Sequence, residues 1–200
     1  MTDLVIQKGE TFSRVIRWSS SPFIYKAISA ITKAGPAVIT ASGHSIVDGW
    51  RVAVHSALGM RQINAKSWPL RTADFHKATY ISSSQISLND VDSSEYDAYT
   101  SGGYLIYYTP VSLVGFSARM QIRLTAETAD PPLVSLTSPT GGIVIDDTAK
   151  TITVTISAAV TAAYTFSSGV YDLEMVSSDS TPVVTNLLSG NITVVDEVTK

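Results

Sequence analysis

The residues best suited by type to do chemistry sit in "GHSIVDGWRVAVHSALGMRQIN", residues 43–64. The stretch holds His44 and His55, two of the chain's three histidines, with Ser45 beside the first and Asp48 between them. A Ser-His-Asp set could transfer acyl groups, the His taking the Ser proton and the Asp orienting the imidazole. Two histidines and an aspartate could also begin a metal site. Their spacing argues against both. Neighbours on a strand point to opposite faces, so Ser45 and His44 diverge. No Gly-x-Ser-x-Gly turn is present to expose a nucleophile. Zinc needs three or four convergent ligands. His44 and His55 are separated by a turn and a strand, and His76 stands alone in "DFHKA". The same residues make good turns. Gly49 adopts a positive φ cheaply, and Asp48 can bond its own backbone two residues on. Gly43-His44 and Asp48-Gly49 are therefore expected to build two turns of a hairpin. No catalytic residue, metal or cofactor follows from them.

The other candidates read similarly. "NDVDSSEYD", residues 89–97, holds Asp90, Asp92, Glu95 and Asp97. A calcium loop of the EF-hand kind needs Gly at its sixth position, and counting from Asp90 that residue is Glu95. An acidic surface turn is expected instead. Asp146-Asp147 in "VIDDTAK" reads as a tighter turn between strands. Tyr104, Tyr107 and Tyr108 cluster near residue 110. Exposed rings can stack on bases or sugars, but rings are far commoner in β cores and protein interfaces. Tyr107 and Tyr108 are consecutive, so a strand turns one inward and one outward. The pair is the candidate protein contact.

Composition narrows the field. The chain has 200 residues, 44% hydrophobic, with no cysteine and a net charge of −3. Disulfides, thiolate zinc sites and cysteine nucleophiles are excluded, which fits synthesis in a cytosol. No apolar run is long enough to span a bilayer as a helix. Residues 1–15 carry Asp3 and no apolar stretch, which argues against a secretory signal. Residues 1–110 hold ten Lys/Arg against eight Asp/Glu, and residues 111–200 hold four against nine. Neither part is basic enough for a nucleic-acid footprint.

These turns and rings need a scaffold, and the pattern of the chain points to an all-β one. In "KTITVTIS", 150–157, Ile152, Val154 and Ile156 alternate with threonines. "FSARMQIRL", 116–124, and "ETFSRVIRW", 10–18, alternate too, as does the start of "GNITVVDEV", 190–198. Each predicts a half-buried strand. "SAAVTAAYTF", 157–166, is the exception, with alanine spacing that predicts one or two helical turns opened by Ser157 or Thr161. From Pro22 to Pro110 the turn signals crowd together, as at "KAGP", "VDG" and "SGG". Residues 22–110 are therefore expected to form a small β-barrel inserted into a larger sandwich of residues 1–21 plus 111–200. Insertion at a loop tip costs little, because loop-closure entropy grows slowly with length. The strands at 10–18 and 116–124 are expected to be neighbours. "LVIQK" and "NITVVDEV" are expected at sheet edges.

Two family resemblances accompany this division. Residues 28–107 resemble a small module common in tailed-phage proteins, often labelled as similar to the first-catalytic-cysteine half-domain of ubiquitin-activating enzyme. The matching residues are "ISAITKAGPAVITASGHSIVDGWRVAV", "GMRQIN" and "ADFHKATYISSSQISLNDVDSSEYDAYTSGG". The chain departs from that pattern at Ser45, where Gly is usual, and at Trp50, where Asp is usual. The label concerns fold, and without cysteine ubiquitin chemistry is absent. The outer pieces, through "LVIQKGETFSRVIRW", "LVGFSARMQIR", "GGIVID", "KTITVTIS", "GVYDLEMVS" and "LLSGNITVVDEVTK", resemble the immunoglobulin-like N-terminal domain of siphophage upper-baseplate proteins.

The resemblances imply a non-enzymatic virion structural protein, made in the host cytoplasm and carried in the particle in several copies. Its partners would be other virion proteins (tail, neck or capsid) and copies of itself, with no nucleic acid and no membrane. The upper-baseplate likeness favours the tail, as a baseplate, collar or fibre-anchoring component. Capsid decoration is the rival, and a carbohydrate-binding adsorption module on a host-surface glycan the third. The outer domain is expected to dock and the insert to project.

Overall fold

Strands form where Val, Ile, Thr and Tyr alternate with polar residues, in a computed structural model that describes residues 2–198. In chain order they begin with β1 (Leu4–Gln7), β2 (Phe12–Ile16), β3 (Ser19–Ala27), β4 (Ala30–Ile31) and β5 (Ala37–Thr40). β6 (Arg51–His55), β7 (His76–Ser82), β8 (Gln85–Leu88) and β9 (Tyr104–Pro110) follow. The remainder are β10 (Phe116–Arg123), β11 (Val134–Thr137), β12 (Ile143–Asp146), β13 (Thr151–Ile156), β14 (Ser168–Ser177) and β15 (Val184–Val195). Among the described residues the fold is all-β apart from two single-turn 3-10 helices and one short α-helix, α1 (Ala158–Ala162). It divides into two compact units, Met1–Trp18 with Ser112–Lys200, and Ser19–Val111.

The first unit is two sheets on one core. One sheet runs β1-β15-β14-β10-β11 and the other β12-β13-β2. Ala118, Met120 and Ile122 of β10 and Leu173 and Met175 of β14 meet Ile143, Ile152, Val154 and Ile156 of the smaller sheet, all buried. The alternation in "FSARMQIR" is thus read out directly, apolar residues inward and Ser117 and Arg119 outward. Burying each such side chain contributes roughly 1.5–3 kcal/mol. This is sandwich packing, in which the inner faces of two sheets share a core. The helix falls where the alanines place it, with Ser157 at its N-cap position. Buried Thr161 ties it down, its hydroxyl lying 2.8 Å from the Glu10 carbonyl oxygen.

Two expectations are corrected. β2 and β10 lie in different sheets: β2 pairs with β13, and β10 pairs with β14 and β11. Both strands have an apolar face toward the same core, and that periodicity does not encode a pairing partner. Beyond the end of β2, Trp18 packs edge-on against Phe116 at the start of β10, with centroids 5.3 Å apart. β15 is an interior strand, because β1 adds to it in parallel with Leu4 opposite Ile192. The edge is β1 itself.

In the second unit the sheet order is β3-β9-β6-β7-β8-β5-β4. Its first and last strands are consecutive in the chain, separated only by Ile28 and Ser29. The segment bonds toward β9 through Ile28 N–H to Gly103 O, and toward β5 through Ser29 N–H to Thr40 O. The sheet returns to the segment on which it began. Inside lies a second core of Ile39, Val52, Val54, Ile86, Leu88 and Leu105, among others. Gly103 is required where it stands. Its φ is +85°, and a Cβ there would lie 2.8 Å from the Ala57 backbone.

Candidate functional site

His44, Ser45 and Asp48 aim at three different targets. Ser45 N–H donates to the Tyr107 hydroxyl at 3.1 Å. Asp48 Oδ1 accepts from Tyr80 N–H at 2.7 Å, a bond across thirty-two residues of sequence where a local one was expected. Gly49 has a φ of +74°, as its turn requires. His44 is buried, and its Nδ1 accepts from Ile46 N–H at 3.3 Å, which places the proton of the neutral ring on Nε2. That Nε2 is buried without a hydrogen-bond partner. Burial pushes the imidazole below its ordinary value. The backbone of Gln85 and Ser82 opposes that shift, without reaching hydrogen-bond geometry at Nε2, and the Lys26 ammonium reinforces it.

The remaining titratable candidates are dispersed. His76 Nδ1 lies 3.1 Å from both carboxylate oxygens of Asp90. Asp92 accepts from the Ser94 hydroxyl at 2.6 Å and from its N–H at 3.0 Å, and these bonds hold its carboxyl below the usual range. Asp97 takes the Gln62 amide at 2.9 Å. Glu95 lies in the same turn-rich segment. Among the described residues no group of three or more His, Cys, Asp or Glu is placed to hold a metal ion. Asp146 closes its turn by accepting from Ala149 N–H at 2.9 Å. Asp147 receives Lys150 Nζ and Leu113 N–H, each at 2.6 Å, and its carboxyl is lowered chiefly by Lys150.

The tyrosine pair splits as a strand dictates, and half of the candidate contact is withdrawn. Tyr107 is fully buried in the core of its unit, with its hydroxyl committed to Ser45. A side chain with no accessible surface cannot be a contact. Tyr108, 40% exposed, remains one.

Tyr108 belongs to a larger surface. Leu105 and Tyr107 of β9 point into the core, so Tyr104, Ile106 and Tyr108 take the opposite face. Register brings Phe23 of β3 beside Tyr108, and His55 of β6 beside Tyr104. Phe23 lies 4.2 Å from Tyr108, ring centroid to centroid, and Phe75 stacks at 6.0 Å on both. Tyr25 meets Tyr104 edge-on at 6.2 Å, and His55 lies 4.9 Å from Trp68. Trp68 is 62% exposed, Tyr104 48% and Tyr25 47%. Ala53 and Ile106, opposite one another and buried, lie on the same side. Ser56 next to His55 holds an unusual positive φ of 62°, and its hydroxyl is 2.6 Å from His55 Nδ1.

The Trp68 loop is fixed by a residue that sequence reasoning missed. Asp74 is buried, and its carboxylate accepts from the N–H groups of Arg71 and Lys66 at 2.8 Å and of Ser67 at 3.3 Å. The Arg71 amide, foremost, keeps the carboxyl below its usual range. One charge thus organises the backbone on both sides of Trp68. The rings themselves come from separate strands and a loop. Only the alternation of Phe23 and Tyr25 with Ile24 and Lys26 hinted at a shared face, and the register that assembles it is not written in any one segment.

Exposed, preorganised rings bury much area at low conformational cost, and each well-packed pair contributes about 0.5–1.5 kcal/mol beyond area. Such a face has the composition of protein contact surfaces. Against known proteins, the chain matches no family model and no curated sequence.

Proposed function

We propose that the protein is a non-enzymatic structural component of a tailed-phage particle, present in several copies on the tail side and working by surface complementarity. The observation that carries this is the exposed apolar edges of the first unit, which suit a permanent contact by strand addition; the ring face of Tyr25, Trp68, Tyr104 and Tyr108 belongs to the second unit and is left for a further protein contact. Under this reading the ring of strands in the second unit is the small barrel of the phage module, and the first unit is the immunoglobulin-like domain that docks. Support for docking comes from its open edges. Val5 on edge strand β1 is 63% exposed. On the smaller sheet, Val144 of β12 and Val15 of β2 both face Thr153 in register and are 57% and 55% exposed.

Energetics favour apolar burial and strand addition over charge. Exposed ion pairs contribute only about 0–1 kcal/mol each, whereas apolar burial contributes about 25 cal/mol per Å² before association costs. Purified particles test the proposal. A chain lacking residues 23–109 should still be incorporated, and about 1 M salt, where the Debye length is near 3 Å, should not strip the intact protein. Loss on either count would contradict docking through the first unit. Copy number separates the rival: on symmetry grounds, roughly a few to a few dozen copies mean tail, and several hundred mean capsid decoration.

A further inference from the structure

We propose that the polar face of β10, β14 and β15 is a binding groove for a neutral saccharide. Two adjoining clefts of about 360 and 340 Å³ lie over it and share Gln121 and Asp172. Each is within the size range of small-ligand sites. The face is a lattice set by register. Gln121 stands opposite Asp172, and Asp172 opposite Ser189. Arg119 stands opposite Glu174, and Glu174 opposite Asn186.

The last of these pairings depends on a bulge. Leu188 pairs with Leu173 and Asn186 with Glu174, so Leu187 is skipped. In an unbulged ladder Leu187 would stand on the polar face, and the extra residue puts an amide there instead. Re-aiming a side chain is what bulges beside binding sites do.

The groups are held in place. The Arg123 guanidinium donates to Gln121 Oε1 at 3.0 and 3.2 Å and to the Thr128 carbonyl at 2.7 Å, and it pairs with Asp130. It pins the following loop as a wall, from which Ala126 lines the cleft. It also fixes the Gln121 amide, leaving Nε2 as its outward donor. Arg119 is engaged by Glu174 at 2.7 Å. Asp172 sits between these closed pairs, partly buried, and its carboxyl is pushed up by burial first and by Glu174 second.

The donor and acceptor pattern selects the ligand. Donors line β10, carboxylates line β14, and a hydroxyl and amides line β15. An anion arriving there meets Asp172 and Glu174, and a cation meets Arg119 and Arg123. A hydroxyl both gives and takes a hydrogen bond, so a neutral polyol satisfies both strips at once. A site built this way rejects analogues that lack the hydroxyl, because its own polar groups are then left unpaired. The inference concerns the isolated chain and stands apart from the virion assignment.

The test is an NMR titration of the purified full chain with glucose, galactose, mannose and N-acetylglucosamine, with glucosamine and glucose 6-phosphate as charged comparators. At least one neutral sugar should shift the Gln121 and Asn186 side-chain amides at about millimolar concentration, and more than either comparator. Asp172→Asn and, independently, the exposed-site change Asn186→Ala should each weaken that binding by about tenfold with the fold intact by amide dispersion. The proposal is overturned if no neutral sugar shifts these signals. It is equally overturned if both variants bind like the parent, or if the shifts fall on Trp68 and Tyr104 instead.

Discussion

Replacing Tyr107 by Phe separates a core role from a contact role more cleanly than any other single change. The ring stays and only the hydroxyl goes. That hydroxyl accepts from Ser45 N–H at 3.1 Å, with the Ser45 hydroxyl 3.4 Å away. A neutral hydrogen bond contributes about 0.5–1.5 kcal/mol net, and a donor left dry costs up to about 3 kcal/mol. Ser45 is exposed, so water can reach the freed amide and the loss belongs near 1 kcal/mol. For a unit the size of Ser19–Val111 that corresponds to a Tm decrease of about 4–8 °C. Tyr108→Phe, at a ring 40% exposed, should change Tm by less than about 0.5 kcal/mol equivalent. Calorimetry on the two variants decides. Equal shifts, or a larger one for Tyr108→Phe, would refute the inward and outward assignment of the pair and with it the composition of the ring face.

Three further outcomes are expected. The folded state keeps His44 neutral below the value of 6.5 at which the unfolded chain takes up its proton, so that part of the stability is present above pH 6.5 and is lost as pH falls toward the folded value. His44→Asn retains an acceptor for Ile46 N–H, and urea midpoints at about pH 7 and pH 5 should differ less for it than for the parent. Asp74→Ala should loosen the Trp68 loop, read as a red shift and faster quenching of tryptophan emission, while far-ultraviolet circular dichroism stays unchanged; unaltered emission would disprove the role of Asp74. Joining Trp18 to Ser112 by a short Gly/Ser linker should give a first unit that melts cooperatively alone, and an unfolded product would show that the units depend on each other.

The strands of the first unit were legible because each has one dry face: Ile152, Val154 and Ile156 are all buried as the period-two pattern demands. The helix was legible for the opposite reason, an alanine run without alternation after Ser157. Pairing was not legible. β2 and β10 share an alternation that fits either sheet, and the parallel addition of β1 to β15 depends on two segments some 190 residues apart. The turn role of Gly49 could be read locally, but the long-range partner of Asp48 could not. Of the ring face, Tyr104 and Tyr108 stood out by proximity in sequence, whereas Phe23, Tyr25 and Trp68 join them only through register and a carboxylate-clamped loop. The saccharide groove was hidden further, since a single skipped residue, Leu187, decides that Asn186 faces it.

The central proposal, a structural protein held in a phage particle by apolar contact, is tested most directly by quantifying this chain on gradient-purified virions before and after a wash in about 1 M salt. The account predicts that the chain is present and that its copy number is unchanged by the wash. Absence from the particles, or release by salt, would contradict it.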